Sequence, residues 1–106
     1  MYDATVLNDI ASEVEIPPDG TLSRVLYQDG QVRLIVFAFD AGQELTEHTA
    51  ASPAVVQVLR GRLHLTLRGE ETTAGPGSWI HMPAQLPHSV RAEEPSVMLL
   101  TLLLGG

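Results

Sequence analysis

Short apolar runs separated by turn-forming residues fill most of the chain, and they restrict it to a β fold. The clearest run, residues 62–68, alternates strictly, with Leu63, Leu65 and Leu67 on one face and polar side chains on the other. A period of two is typical of a strand with one buried face. Further strand-like runs lie at residues 22–28, 32–39, 45–49, 55–59, 79–82, 89–92 and 97–104, whereas residues 69–71 are expected to turn the chain and 72–73 to lead into the turn at 75–77. This spacing predicts eight or nine short strands in an all-β sandwich or barrel, with a hairpin at Asp29-Gly30.

Composition and length indicate one globular domain. The chain has 106 residues, of which 44% are hydrophobic and 18% are charged, as expected for a folded domain with a single core. We expect residues 1–106 to form that domain, with a segment of about 1–20 packing on a barrel of about 21–104. The absence of cysteine excludes disulfides and thiolate sites, and the absence of lysine excludes Schiff-base chemistry.

Charge and hydropathy predict the location of the chain and two classes of partner that it does not bind. Its formal net charge is -7, and a phosphate backbone repels such a surface, so no nucleic-acid partner is expected. The start Met1-Tyr2-Asp3 has no basic residue, and no apolar signal segment follows it. The longest apolar run, residues 97–104, is far shorter than the roughly 20 residues that span a bilayer. We therefore expect a cytoplasmic protein without membrane contact.

Two segments share one pattern of turn, apolar strand and turn, each with a single histidine near a strand end. They cover residues 42–61 and 77–88, and a hairpin at 62–76 joins them. The pattern's fixed points are Gly42, His48, Gly61, Gly77, Pro83 and His88.

These segments resemble the two motifs of the cupin superfamily. The resemblance extends over most of residues 21–104 and implies an all-β jelly roll, also described as a double-stranded β-helix barrel. Four motif positions differ from the family: Ala50 replaces a histidine, Ala54 a glutamate, Gln85 a glycine and Ala92 an asparagine. The resemblance is specific for the fold, whereas the same barrel serves unrelated functions.

The resemblance also implies a metal site, which the substitutions make incomplete. Cupins with the full motif hold one divalent ion through three histidines and one glutamate, and of that set only His48 and His88 remain. Fe, Mn, Ni or Zn is the expected ion, with His81 as a candidate third ligand. Counting by strand alternation from His48, Thr46 and Glu44 share its face.

Alanines at two motif positions also make the expected cavity more apolar. Its predicted walls are His48, His88, Ala50, Ala54, Val56 and Val58, with Phe37 or Phe39 and Trp79 nearby. Mostly apolar walls with a few polar groups are usual for small-molecule sites. The same residues would equally form an ordinary packed core.

Three functions therefore remain open. The first is a small-molecule-binding barrel with a degenerate metal site, acting as a homodimer because residues 55–56 and 99–100 are apolar on both faces. The second is a divalent-metal-dependent cupin enzyme of the dioxygenase or isomerase type. The third is a structural or interaction protein with a filled interior.

Overall fold

Nine strands and one short 3₁₀ turn make up the fold of this chain, which we describe from a computed structural model covering residues 3–105. Met1, Tyr2 and Gly106 lie outside the described residues. The predicted absence of a signal segment relied on the start Met1-Tyr2-Asp3, so it rests mostly on residues outside that range. The elements in chain order are a 3₁₀ turn (Ile10–Glu13), β1 (Thr21–Gln28), β2 (Val32–Phe39), β3 (Glu44–His48), β4 (Ala54–Arg60), β5 (Leu63–Leu67), β6 (Glu70–Ala74), β7 (Trp79–Met82), β8 (His88–Ala92) and β9 (Ser96–Leu103).

The strands form two antiparallel sheets that pack face to face. One sheet has the order β1-β2-β9-β4-β7, and the other has the order β3-β8-β5-β6. This arrangement confirms the predicted all-β jelly roll. No strand pairing among residues 3–105 joins the two sheets, so hydrogen bonds do not close the barrel. Within the same residues, no helix has the length and hydrophobicity needed to cross a membrane.

The main core lies between the sheets and follows the alternation of the sequence. Leu63 and Leu65 of β5 are completely buried, whereas His64 between them is only half-buried. Val56 and Val58 of β4 approach them from the other sheet and are 1% and 2% exposed. The predicted inward face of residues 62–68 is therefore confirmed.

A second, smaller core covers part of the outer face of the five-stranded sheet. Val14, just after the 3₁₀ turn, packs on Val36 and Ala38 of β2 and on Val97 of β9. These three strand residues are at most 2% exposed. The five-stranded sheet is apolar on both faces, and the chain's own N-terminal segment covers part of the outer one. This part of the face therefore needs no second subunit.

Aspartates hold two of the turns. In the predicted hairpin between β1 and β2, Asp29 Oδ1 accepts hydrogen bonds from the backbone N–H groups of Gln31 and Val32, at 2.7 and 3.0 Å. Asp40, after β2, accepts from the N–H groups of Asp19 and Ala41 at 2.7 and 2.9 Å. These bonds favour the ionised form and lower the pKa of both carboxyls below the usual aspartate value.

Gly61 stands where no side chain fits. Its φ is +86°, and a Cβ atom there would collide with the Ser96 hydroxyl and the Pro95 carbonyl. Ser96 is fully buried, and its Oγ accepts a 3.0 Å hydrogen bond from the N–H of Arg62. The corner between β4 and β5 is thereby fastened to the start of β9, which explains the glycine at this motif position.

Candidate functional site

The pairing of β3 with β8 brings two histidines together at one end of the four-stranded sheet. His48 lies directly opposite His88 in the register of this pair. The ring centres are 4.2 Å apart, and the ring planes are inclined by 60°. His88 is only 8% exposed, whereas His48 is open to solvent. The two imidazoles therefore form one cluster with a buried and an accessible side.

A β-bulge in β3 determines which neighbours share this face. Leu45 pairs with Val90 and His48 pairs with His88, so two residues of β3 oppose one residue of β8. Leu45 and His48 consequently point into the same cavity, although they are three positions apart. The alternation that placed Glu44 and Thr46 beside His48 is wrong, because the bulge interrupts it. Both line a polar groove on the outer face of the sheet instead.

Backbone carbonyls hold both rings in the same way. His48 Nδ1 lies 2.7 Å from the carbonyl oxygen of Thr46, and His88 Nδ1 lies 2.8 Å from that of Leu86. A carbonyl oxygen only accepts, so each Nδ1 carries a proton and donates it. In the neutral ring the lone pair is then on Nε2. The structure gives neither Nε2 a hydrogen-bond partner within residues 3–105, which leaves both free to bind a ligand.

The two rings line a small cavity between the sheets. Its volume is ≈ 40 Å³, which is enough for water-sized groups and much smaller than the roughly 150 Å³ cavity that holds benzene in an engineered core. Apart from the imidazoles its walls are apolar, and they contain neither a carboxylate nor a basic side chain other than histidine. The remaining lining residues are Phe37, Leu45, Val56, Leu65, Met82, Val90, Met98 and Leu100.

The other side chains proposed from the sequence as cavity walls lie elsewhere. Ala54 and Val58 are each 2% exposed and belong to the packed core, not to the cavity lining. Ala50 is half-buried, and its carbonyl oxygen accepts a 2.8 Å hydrogen bond from the N–H of Gln85. Of the predicted walls, Val56 and the two histidines line the cavity.

β7 places His81 on the opposite face from the histidine pair. Met82 of this strand lines the cavity, whereas Trp79 and His81 are exposed. Their rings stack with centres 6.4 Å apart and an inclination of 18°. Trp79, expected near the cavity, is 62% exposed on the outer face. The Pro83 corner that follows β7 had left the phase of this strand open.

Comparison with known proteins supports the resemblance to the cupin superfamily that these two motifs indicated. A family model described as the cupin domain matches residues 35–103, which contain both histidines and the cavity walls. The chain belongs to the cupin family. Two solved structures have more than 30% sequence identity to this cupin.

One relative is a conserved protein of unknown function from Streptococcus pyogenes, 35% identical, with a TM-score of 0.85, covering 100% of this chain and 92% of its own. Another is a cupin 2 conserved barrel domain protein from Leptotrichia buccalis, 31% identical, with a TM-score of 0.83, covering 88% of this chain and 45% of that protein. A cupin from Desulfitobacterium hafniense, 21% identical with a TM-score of 0.86 over 99% of this chain and 94% of its own, shares the fold. No curated protein matches the chain.

The donor atoms of this cupin do not fit the four-ligand metal site that the family implies. A divalent transition metal typically takes three or more protein ligands, each nitrogen or oxygen at about 2.0–2.2 Å. Here two imidazoles line the cavity, and residues 3–105 contain no cluster of three or more His, Cys, Asp or Glu side chains positioned for a metal. The alanines at positions 50 and 54 account for the missing donors.

Sequence reasoning missed Met82 and Met98 as cavity residues. Both are nearly fully buried, at 4% and 2% exposure, and both line the cavity with the histidines. Met82 pairs across the sheet with Ala54, the position of the family's glutamate. The sequence alone carries no signal for this placement, because the pairing joins strands that are distant in the chain.

Proposed function

We propose that this cupin is a binding protein whose cavity receives the polar head of a small molecule at the pair formed by His48 and His88. The observation that supports this proposal is the engagement of both Nδ1 atoms by backbone carbonyls. Each ring is thereby held in one orientation with its Nε2 free. A preoriented acceptor inside apolar walls binds a hydroxyl group, which donates its proton, without first rearranging.

Size and access restrict the ligand. A cavity of ≈ 40 Å³ admits a hydroxyl or a similarly small head, and the body of the ligand extends past His48 toward solvent. The apolar walls favour a head attached to a short hydrocarbon or ring over a fully hydrated ion. We therefore propose small alcohols and phenols as the ligand class, in place of an aromatic ring enclosed entirely in the barrel.

Thermal unfolding with propanol, cyclohexanol and phenol as probes tests this proposal. A ligand at one hundred times its Kd stabilises the native state by about 2.7 kcal/mol, which raises the Tm of a domain of this size by about 10 °C or more. We expect a rise for at least one probe in the wild type and none in the His48→Ala, His88→Ala double variant. His81→Ala is the matched control, because it removes an imidazole from the outer face.

An equal rise in the double variant would contradict the proposal, since binding would then occur away from the pair. The absence of a rise with every probe would also contradict it and would favour the structural role with a filled interior. The metal-dependent enzyme is the weaker alternative because its donor set is incomplete. Retention of one Fe, Mn, Ni or Zn ion per wild-type chain, lost in the double variant, would restore it.

We also propose that a second copy of the chain covers the outer face of β7. The N-terminal segment covers the outer face of β2 and β9 but leaves Trp79 exposed at the edge of the sheet. Beside Trp79 lie His81 and the half-buried Val55 of β4, which pairs directly with His81. Large exposed aromatics are enriched where proteins associate. Light scattering of the purified chain measures the mass directly.

A further inference from the structure

We propose that Thr73, His64 and Glu93 form a second site, on the outer face of the four-stranded sheet, that hydrolyses small esters whose alcohol part carries a positive charge. In this site Thr73 is the nucleophile, His64 is the general base, and Glu93 positions the imidazole. The site lies outside the cavity at His48 and His88, so the inference stands apart from the proposed function.

The first step is the register of the sheet, which places polar side chains from all of its strands in one row. His64 of β5 lies between two direct partners, Thr73 of β6 and Arg91 of β8. Arg91 in turn pairs with Glu44 of β3. Residues directly opposite one another in an antiparallel pair share a face, and His64 alternates with the core leucines of β5. The row therefore lies on the outer face of the sheet.

The second step is the series of close contacts through the His64 ring. Its Nδ1 lies 3.1 Å from Thr73 Oγ1, and its Nε2 lies 3.2 Å from Glu93 Oε2. A carboxylate has no proton to donate, so the nitrogen that faces it carries the proton of the neutral ring. Nδ1 then holds the lone pair and accepts the hydrogen bond that the Thr73 hydroxyl donates. Carboxylate, imidazole and hydroxyl thus stand in the order that nucleophilic catalysis uses.

The third step is the fixed position of Glu93, which directly follows β8. Its backbone N–H donates a 3.0 Å hydrogen bond to the carbonyl oxygen of Arg62. The N–H of Arg62 is itself held by the buried Ser96 hydroxyl at 3.0 Å, and Arg62 Nε lies 3.6 Å from Glu93 Oε2. Because these contacts anchor the carboxylate, it restricts the orientation of the His64 ring toward Thr73.

The fourth step is the polar groove beside this row, which determines the substrate class. The His64 ring forms part of its wall, and its volume of ≈ 310 Å³ suits a small ester. Its lining includes one arginine, Arg91, and three carboxylates, those of Glu44, Glu47 and Glu71. Since the acidic side chains outnumber the basic ones, the groove attracts a positively charged alcohol part and repels a negatively charged one.

The reaction needs water as its one co-reactant. Thr73 Oγ1 attacks the carbonyl carbon of the ester, and the hydroxyl proton passes to His64 Nδ1. The bond to the alcohol oxygen then breaks, and the alcohol leaves with that proton while the acyl group stays on Thr73. Water attacks the acyl group and gives a proton to Nδ1, which returns it to Oγ1 as the carboxylic acid departs. Glu93 stays ionised throughout and stabilises the protonated ring.

Reaction with p-nitrophenyl acetate, followed by mass spectrometry of the quenched protein, tests the inference. We expect an acetyl group on Thr73 of the wild type, and turnover that Thr73→Val and His64→Gln each reduce by at least about a hundredfold. The double variant should lose no more than either single variant, because nucleophile and base act as one unit. Glu93→Gln should lower kcat and leave KM unchanged, since the carboxylate orients the ring without touching the substrate.

The matched control is Thr72→Val, because Thr72 pairs with the buried Leu65 and lies on the other face of β6. This variant should turn over the ester as fast as the wild type. Free imidazole at the same concentration gives the rate of a base that no protein positions. Acetylation of His48 in place of Thr73, equal losses in Thr72→Val and Thr73→Val, or a wild-type rate no higher than that of imidazole would overturn the inference.

The substrate class is tested by comparing the acetate esters of choline and of ethanol. We expect a higher kcat/KM for the choline ester, and a smaller preference in Glu71→Gln, which removes one of the groove's carboxylates. Equal kcat/KM values for the two esters, or no turnover of either, would overturn the assignment of a positively charged substrate.

Discussion

Replacing Gln85 with glycine tests how much stability one backbone conformation costs this cupin. Gln85 has a φ of +67°, in a region that side-chain-bearing residues seldom adopt. It lies in a turn closed by the N–H of Leu86 and the carbonyl oxygen of Pro83 at 3.3 Å, with the positive φ at the third turn position, where glycine is usual. Its side chain is exposed. The family motif has glycine at this position.

The magnitude follows from two opposing contributions. A left-handed conformation costs a residue with a side chain about 1–2 kcal/mol. Glycine removes that cost but makes the unfolded chain more flexible, which lowers stability by about 0.4–1 kcal/mol. We expect a net gain of about 0.5–1 kcal/mol for Gln85→Gly, equivalent to a rise in Tm of about 2–8 °C. The hydrogen bond from the Gln85 N–H to the Ala50 carbonyl is a backbone contact and is retained.

Urea denaturation followed by circular dichroism measures this difference. The matched control is Ala84→Gly, one residue earlier in the same turn, where φ is not positive. That variant gains only the unfolded-state flexibility, so we expect it to lose about 0.4–1 kcal/mol. The two glycines should therefore act with opposite sign. A loss of stability in Gln85→Gly, or an equal change in both variants, would refute the strain argument.

Two further predictions concern acid stability and self-association. The lowered pKa of Asp40 means that its ionised form stabilises the fold above the ordinary pKa of 3.8, and that this contribution is lost as the pH falls. In urea titrations, Asp40→Asn should therefore lose less stability between pH 6 and pH 3 than the wild type. Equal losses in the two proteins would contradict the assignment. If Trp79 is a central contact between two copies, Trp79→Ser should weaken the dimer by roughly 2 kcal/mol or more, and light scattering that shows the same mass for both proteins at every concentration would contradict it.

The strands and the fold class were predictable because the pattern of the sequence matches the period of the structure over long stretches. The alternation around Leu63 and Leu65 gives the inward face of β5 directly, and Asp29-Gly30 marks the hairpin that Asp29 then stabilises. Each of these signals is local: a period of two, or a turn residue with a defined hydrogen bond. They predict eight or nine short strands of a sandwich or barrel, and the structure has nine in two facing sheets, with β6 beginning at Glu70 where a turn was expected.

The immediate surroundings of the histidine pair were less predictable because they depend on irregular backbone. One extra residue between Leu45 and His48 reverses the phase of β3, and nothing in the composition of that segment announces a bulge. The face of His81 was likewise open until the path of β7 into the Pro83 corner was known. Alternation is a reliable guide only between such irregularities.

Met82 and Met98 were missed for a different reason. In a sequence, methionine inside an apolar strand indicates core packing, and both residues do lie in the core. Their second property, a shared cavity with two imidazoles, arises from contacts between strands that are distant in the chain. Such a set of cavity residues can be recognised only once the sheets have been brought together.

The position of Trp79 makes its fluorescence a probe of the outer face of β7 and not of the cavity. It is the one tryptophan of the chain, and it lies on the opposite face of β7 from Met82. Its fluorescence emission maximum should therefore stay at long wavelength when the cavity is filled and shift to shorter wavelength when another molecule covers the outer face. Occupation of the cavity and association of subunits can thus be followed separately in one cuvette.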